Sequence, residues 1–335
     1  MKKFDIKALI SKSQKILILL AIVLIMAVLQ PGVFLTGQNI KSILFSISIY
    51  GIMICGTVFT IMLGGIDLSI GSICAAAGGL TVKWIVDHGF TNSAVIVGIL
   101  LGLLLGIGAG LINGLIVVEC SVPAFLVTLA SQLIFHGVAQ LITNSKVIAI
   151  MEPPLFSNLG GGRFLGIPSV IYVWALFVAI AAFILEKTVY GRQIYSVGGN
   201  AQASYLSGIH SKKVSVFAYV FSGFTAALAG IVLASMNRQA YVRAGEGYEN
   251  DVLAAVVLGG ISLMGGEGKF IGAVWGAVLV GIVGNALRLM GIGTAYHGIV
   301  KGIVVIIAVA VDAYVRFGHS GLKRNKKEKA KAKEN

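Results

Sequence analysis

EKTVYGRQIYSVGGNAQASYLSGIHSKK, residues 186–213, is a polar segment set between two long apolar runs. It carries a short helical pattern of its own. Asn200 reads as an N-cap, because its side-chain carbonyl can accept a free N–H from the first helical turn. The AQASYLSGI that follows has small residues and Leu206 at helical spacing. Gly208 stands where a left-handed backbone would stop such a helix. A short helix at a membrane face does little for a channel lining. It suits a docking surface through which another protein pushes on the bundle.

Working outward, the chain has 335 residues, 57% of them hydrophobic and 12% charged, with a mean hydropathy of +0.94. Soluble domains carry about 25% charged residues. The reading is therefore an all-α polytopic membrane protein. The 44 glycines agree with it, since small residues let membrane helices approach closely. Apolar runs of roughly 20 residues give about ten transmembrane helices, at roughly 15–35, 42–63, 67–86, 93–118, 123–143, 167–185, 213–236, 251–265, 270–290 and 297–316. The eighth is short and the third is rich in Gly and Ser, so both read as broken helices. The chain divides into a basic N-terminus at 1–14, a transmembrane body at 15–316 and a basic tail at 317–335. The N-terminus imitates a secretory leader but has no small-x-small cleavage site, so a retained first span is expected.

The net charge of +13 is concentrated at the ends. Lys2, Lys3, Lys7, Lys12 and Lys15 precede the first run, and eight basic residues follow the last, from Arg316 to Lys333. Basic ends hold termini in the cytoplasm, and an even number of crossings satisfies both. The tails carry this orientation, which puts 186–213 inside. The tail lacks the interleaved aromatics that stack bases, so no nucleic acid is expected as a partner. Outside fall Asn144–Gly166 and Asn237–Asp251, the latter with Arg238 and Arg243 beside Glu246, Glu249 and Asp251. LGGIDL at 63–68 recurs as LGGISL at 258–263, both at cytoplasmic helix ends, which implies a parallel repeat.

Catalytic chemistry finds no support. There is no H-E-x-x-H, no Cys/His cluster with metal spacing and no G-x-x-x-x-G-K-[ST] loop for nucleotide phosphates. Cys55, Cys74 and Cys120 read as packing residues. His136 falls mid-span with Gln132 and Gln140 at i−4 and i+4, a one-sided polar stripe that must avoid lipid. It either lines a path or ties helices. Asp67, in GGIDLSIGS with Ser69 and Ser72, is an ionisable group at membrane depth or a cap at the cytoplasmic edge. Asn113 and Asn285 lie in Gly-rich helices and either meet a substrate hydroxyl or cross-link helices. The substrate-path candidates are thus Asp67, Ser69, Asn113, Gln132, His136 and Asn285. Few acids stand in the spans, which disfavours proton coupling.

GGIDLSIGS, VGGNAQASYLSGI and GGEGKFIGAVWGAVLVGIVGNAL, in this order and spacing, resemble the permease subunit of bacterial ABC importers for monosaccharides, the ribose/xylose/arabinose/galactose type. The similarity runs from about residue 40 to 316. It implies a permease fold related to the vitamin B12 importer class in the bacterial inner membrane, working as a homodimer or heterodimer. It implies a cytoplasmic ABC ATPase, holding ATP and Mg, on a coupling region that includes Gly198, Gly199, Asn200, Ala203, Ser207, Gly208 and Ile209. It also implies a sugar-binding protein on the outer face, for which Arg238 and Arg243 are docking candidates. The family pattern usually has Ala where this chain has Gln202–Tyr205, a departure read as tuning to a particular ATPase. No cofactor is expected on this chain. Sister permeases move nucleosides, autoinducer-2 or branched-chain amino acids, and a self-sufficient secondary carrier is the reading from another class.

Overall fold

The structure, a computed structural model, describes residues 23–293 except Glu152, together with 296–300, 302, 303 and 306. Both basic tails and much of the first and tenth expected spans lie outside the described residues. Among the described residues, eleven helices follow one another between 37 and 289: α1 (Gly37–Met62), α2 (Ile70–Asp87), α3 (Asn92–Glu119), α4 (Ala124–Thr143), α5 (Pro154–Gly161), α6 (Ser169–Lys187), α7 (Val189–Gly199), α8 (Ala201–Leu206), α9 (Ser211–Asn237), α10 (Tyr248–Leu258) and α11 (Phe270–Leu289). Among the described residues, seven of them (α1, α2, α3, α4, α6, α9 and α11) are long and apolar enough to cross a membrane.

The chain's own contacts define two ends of the bundle. At one, here the near face, Lys212 at the start of α9 pairs with Glu119 at the end of α3 (2.6 Å), and Gly266 N–H donates to the Met62 carbonyl at the end of α1 (2.8 Å). At the far face, Asn39 near the start of α1 meets Asn285 near the end of α11. Strand β1 (Ile148–Ala149) pairs there with β4 (Gln239–Ala240), and β2 (Arg163–Phe164) with β3 (Ile167–Pro168).

The run at 251–265 is helical over only part of its length, as its shortness in the sequence suggests. Its helix, α10, has 11 residues, about 16 Å of rise, against about 30 Å of hydrocarbon. The chain leaves the far face at β4, runs through turns over 241–247, and turns helical only at Tyr248. Likewise 64–69 runs inward from the near face before α2 begins at Ile70, so the third expected span starts three residues late. Irregular backbone at membrane depth is tolerated only when buried in protein or lining a cavity. Both segments meet that condition. The segment Asn237–Asp251 is consequently no simple outer loop, for Asp251 is buried within α10.

The two LGGI copies end helices by the same hydrogen bonds, displaced by one residue. Gly64 N–H donates to Ile61 O and Gly65 N–H to Thr60 O; Gly260 N–H donates to Val257 O and Ile261 N–H to Val256 O. Gly64 and Gly260 take the positive φ this cap requires, +77° and +78°. The next polar residue of each copy closes a turn onto the N–H two residues on, Asp67 to Ser69 (3.0 Å) and Ser262 to Met264 (3.1 Å).

α1 lies at the centre, buried around most of its circumference over Ile47–Met62. α9 packs most extensively on α3, then on α1 and α2. The α3–α9 contact follows from glycine at every fourth position of α3: Gly98, Gly102, Gly106, Gly110 and Gly114. Four of them face α2 or α9 so closely that a Cβ on Gly98, Gly102, Gly106 or Gly110 would collide with the neighbouring helix. Lipid tails give apolar helices no reason to associate, so close backbone packing supplies the attraction instead. The other side of α3 presents Ile96, Leu100, Leu104, Leu111 and Leu115 outward.

Candidate functional site

The polar segment folds as α7 and α8 outside the bundle. Thr188 ends α6 by donating to Ile184 O (2.6 Å) and starts α7 by accepting from Gly191 N–H (3.3 Å). Asn200 caps α8, its Oδ1 accepting from Ala203 N–H (2.9 Å). Gly208, at φ +83°, stops it, with Gly208 N–H on Tyr205 O and Ile209 N–H on Ser204 O. Both ends are where the sequence puts them. Of α8 only Ser204 is buried, its hydroxyl paired with Ser196 (2.8 Å). Tyr205 and Leu206 are 68% and 78% exposed. Gly199, Asn200, Ala203, Ser207 and Gly208 are also exposed, and Ile209 is half-buried.

Gly198 differs from the rest of this set. A Cβ there would strike the Met62 carbonyl and lie 2.7 Å from Gly266 N, whereas one on Gly199 or Gly208 would meet nothing within 4 Å. Tyr195 adds a bond from its hydroxyl to Gly268 O (3.0 Å). The segment is therefore clamped to the end of α1 and to the 259–269 turn between α10 and α11. A push on α8 reaches several helices through backbone contacts, which have no rotamers to absorb it.

Asp67 sits deeper than an edge cap. Its Oδ1 accepts from Ser69 N–H and Ser69 Oγ–H (2.6 Å), and its Oδ2 accepts from Ser222 Oγ–H (2.8 Å). Ser222 is eleven residues into α9, about 16 Å from its start. Asn113 of α3 donates to Ser69 Oγ (3.1 Å), and Thr128 of α4 donates to Ile66 O (3.0 Å). Asp67, Ser69, Asn113 and Ser222 are each at most 4% exposed. This closed cluster ties the start of α2 to α3, α4 and α9. It satisfies the carboxylate with hydroxyl and amide donors, as burial demands. Asn285 is likewise a tie: its amide exchanges two hydrogen bonds with Asn39, at 2.8 and 3.1 Å.

Gln132 and His136 lie elsewhere. They form one wall of a cleft of about 310 Å³ whose other walls are Gly71 and Ser72 of α2 and the 242–249 stretch, including Glu246 and Glu249. His136 Nε2 lies 3.4 Å from Gln140 Nε2. Glu246 is bound through both carboxylate oxygens to exposed Arg243. That hydrogen-bonded guanidinium holds the Glu246 carboxyl below the usual carboxylate range. Arg238, the left-handed end of α9, is exposed at the far face. A second cleft, about 220 Å³, lies between α1, α10 and α11, with Tyr50, Asp251 and Arg288 on its walls. Glu249 was missed in the sequence because 237–251 reads there as a solvated loop. The signal available was the GEG pair of glycines ahead of it, which lets the chain turn inward. Among the described residues no group of His, Cys, Asp and Glu is arranged to hold a metal ion.

Repeated membrane-spanning helices, two broken segments meeting inside the bundle and an exposed helix clamped to span ends define an integral-membrane transport component. Comparison with known proteins makes this specific. The chain belongs to the family described as the branched-chain amino acid transport system / permease component, whose profile matches residues 39–309. It is similar to the ribose import permease protein RbsC of Bacillus subtilis, 39% identical over 312 residues, covering 93% of this chain and 95% of that one. The ribose import permease protein RbsC of Escherichia coli K12 is 36% identical over 314 residues, 93% and 96% of the two chains. The L-arabinose ABC transporter permease protein AraH of Azospirillum brasilense is 32% identical over 308 residues, 92% and 89%. No solved structure matches the chain. As a permease component it is not an enzyme.

Proposed function

We propose that this chain is the membrane-spanning subunit of an ATP-binding-cassette importer for a ribose-like monosaccharide. A separate ATPase binds α7–α8, a sugar-binding protein delivers solute at the far face near Arg238 and Arg243, and a second permease copy completes the path. The observation that carries this reading is α8. Its apolar tip, Tyr205 and Leu206, is exposed, while its base is fixed through Gly198 to the ends of α1 and the α10–α11 turn. A carrier that works alone has no use for such a handle.

The chain direction supports an arrangement of ten segments with both termini beside α8, in a permease fold related to the vitamin B12 importer class. Residues 23–29 are helical and lead to the far face, and 296–300 resume a helix after α11 has reached it. The basic tails favour a near face on the cytoplasmic side of a bacterial inner membrane.

The cleft chemistry suits a neutral polyol: Glu246, Glu249, Gln132, Ser72 and His136 line it with hydrogen-bonding groups. A sugar offers O–H donors, which a carboxylate accepts.

The test is reconstitution of the chain in vesicles with its ATPase and binding protein. ATP-dependent uptake of ribose, with cross-linking of the ATPase to a Cys placed at Tyr205, is the expected result. Flux by this chain alone, or cross-linking only from the outer side, would overturn the reading.

A further inference from the structure

We propose that the cleft between α2, α4 and the 242–249 stretch is a polyol site, and that Glu249 is the residue that reads the sugar hydroxyls. The inference rests on the transport reading above and names the contact within it.

Three observations converge on Glu249. Its Oε2 is buried and has no hydrogen-bond partner among the described residues. An acceptor withdrawn from water without a partner is costly, so the atom is poised to take an O–H from a solute. Gly71 faces it, and a Cβ there would sit 2.5 Å from Oε2. The absence of a side chain at residue 71 is what gives the carboxylate its place. Finally, Glu249 is the second residue of α10, in the turn where free N–H groups and the helix dipole favour a negative charge.

The rest of the cleft complements it. Gln132 supplies an amide that both donates and accepts, Ser72 a hydroxyl and His136 a ring nitrogen. Glu246, across the mouth, is held outward by Arg243, so one carboxylate is committed to an ion pair while the other keeps its Oε2 unpartnered. The volume of about 310 Å³ lies at the small end of ligand pockets, about 300–1,000 Å³. A site built on hydroxyl acceptors discriminates against an analogue lacking the hydroxyl, because its own polar group is then left unpaired.

The experiment uses the full transporter in proteoliposomes, with uptake of ribose and 2-deoxyribose measured against ATP hydrolysed in the same vesicles. Glu249→Gln, which keeps shape and loses an acceptor, is expected to lower ribose uptake per ATP by about tenfold or more. It should also shrink the preference for ribose over 2-deoxyribose. Gly71→Ala, which displaces the carboxylate, should do the same. Uptake per ATP and sugar preference both unchanged in Glu249→Gln would overturn the proposal. Should Glu249→Gln not assemble with the ATPase, Ser72→Ala and Gln132→Leu decide it: an unchanged preference in both overturns it, and a reduced one supports it. Wild-type vesicles that move another solute but no sugar would instead defeat the transport reading.

Discussion

Gly266 donates its backbone N–H to the carbonyl of Met62 across 2.8 Å, joining residues about 200 positions apart. Met62 ends α1 just before the first LGGI copy, and Gly266 follows the second. Gly265 and Gly266, at φ +85° and +72°, bring that turn against both Gly64 and Gly198. The sequence echo, the end of the central helix and the α7–α8 segment therefore meet at one backbone junction.

Gly198→Ala and Gly199→Ala should behave oppositely although adjacent. The first forces a methyl onto the Met62 carbonyl, and overpacking of this kind costs roughly 1–3 kcal/mol. The second enters open space. Thermal denaturation of the purified protein should show a drop of several degrees for Gly198→Ala and almost none for Gly199→Ala. Equal losses would remove the junction from the account.

Gly208→Leu should fray α8 without harming membrane insertion. A non-glycine residue at φ +83° is strained by about 1–2 kcal/mol, and the space around it is open. Uptake and ATPase association should fall together while the amount of membrane-inserted protein stays at the wild-type level.

Asp67→Ala should be far more harmful than Asp67→Asn. Alanine leaves the Ser222 and Ser69 hydroxyls without their buried acceptor, at about 1–3 kcal/mol for each unsatisfied group. Asparagine keeps one acceptor oxygen and the shape. Folded yield in detergent is the measurement, and equal yields would show that the cluster bears no load.

Asn39 and Asn285 should be energetically coupled. A double-mutant cycle to Ala, read by denaturation in detergent, is expected to give about 0.6–2 kcal/mol, the range for polar pairs between membrane helices. Additive single effects would mean that each asparagine acts through other partners.

The Arg243–Glu246 pair sets a pH dependence of known sign. The Glu246 carboxyl is held low in the folded state, so the pair stabilises above the ordinary carboxylate pKa. The contribution fades as pH falls through the depressed folded value. The melting difference between wild type and Arg243→Gln should thus be present at neutral pH and vanish in acid. A difference that grows on acidification would contradict this.

Much of this protein is legible in one dimension because its strongest signals are local. The spans at α1, α3 and α9 follow from unbroken apolar length, and both ends of α8 follow from Asn200 and Gly208, whose cap geometry depends on a few neighbouring residues. The five glycines of α3 at intervals of four were equally readable as a packing face. The shortness of the eighth run marked it as a broken helix, but not where the helix ends: apolar residues continue past Leu258 into 261–265, and hydropathy cannot tell helix from a turn buried under other helices.

The sequence by itself determined the class: a membrane protein with repeated spans, one short polar helix between them and an echoed helix-end motif. Only the tertiary structure decided what each polar residue inside it faces. Asp67, Asn113 and Asn285 went to closed hydrogen-bonded ties, while Gln132, His136 and the overlooked Glu249 came to one cleft. The physical reason is that a buried polar group must find a partner, and whether that partner is another helix or a solute depends on neighbours distant in the chain.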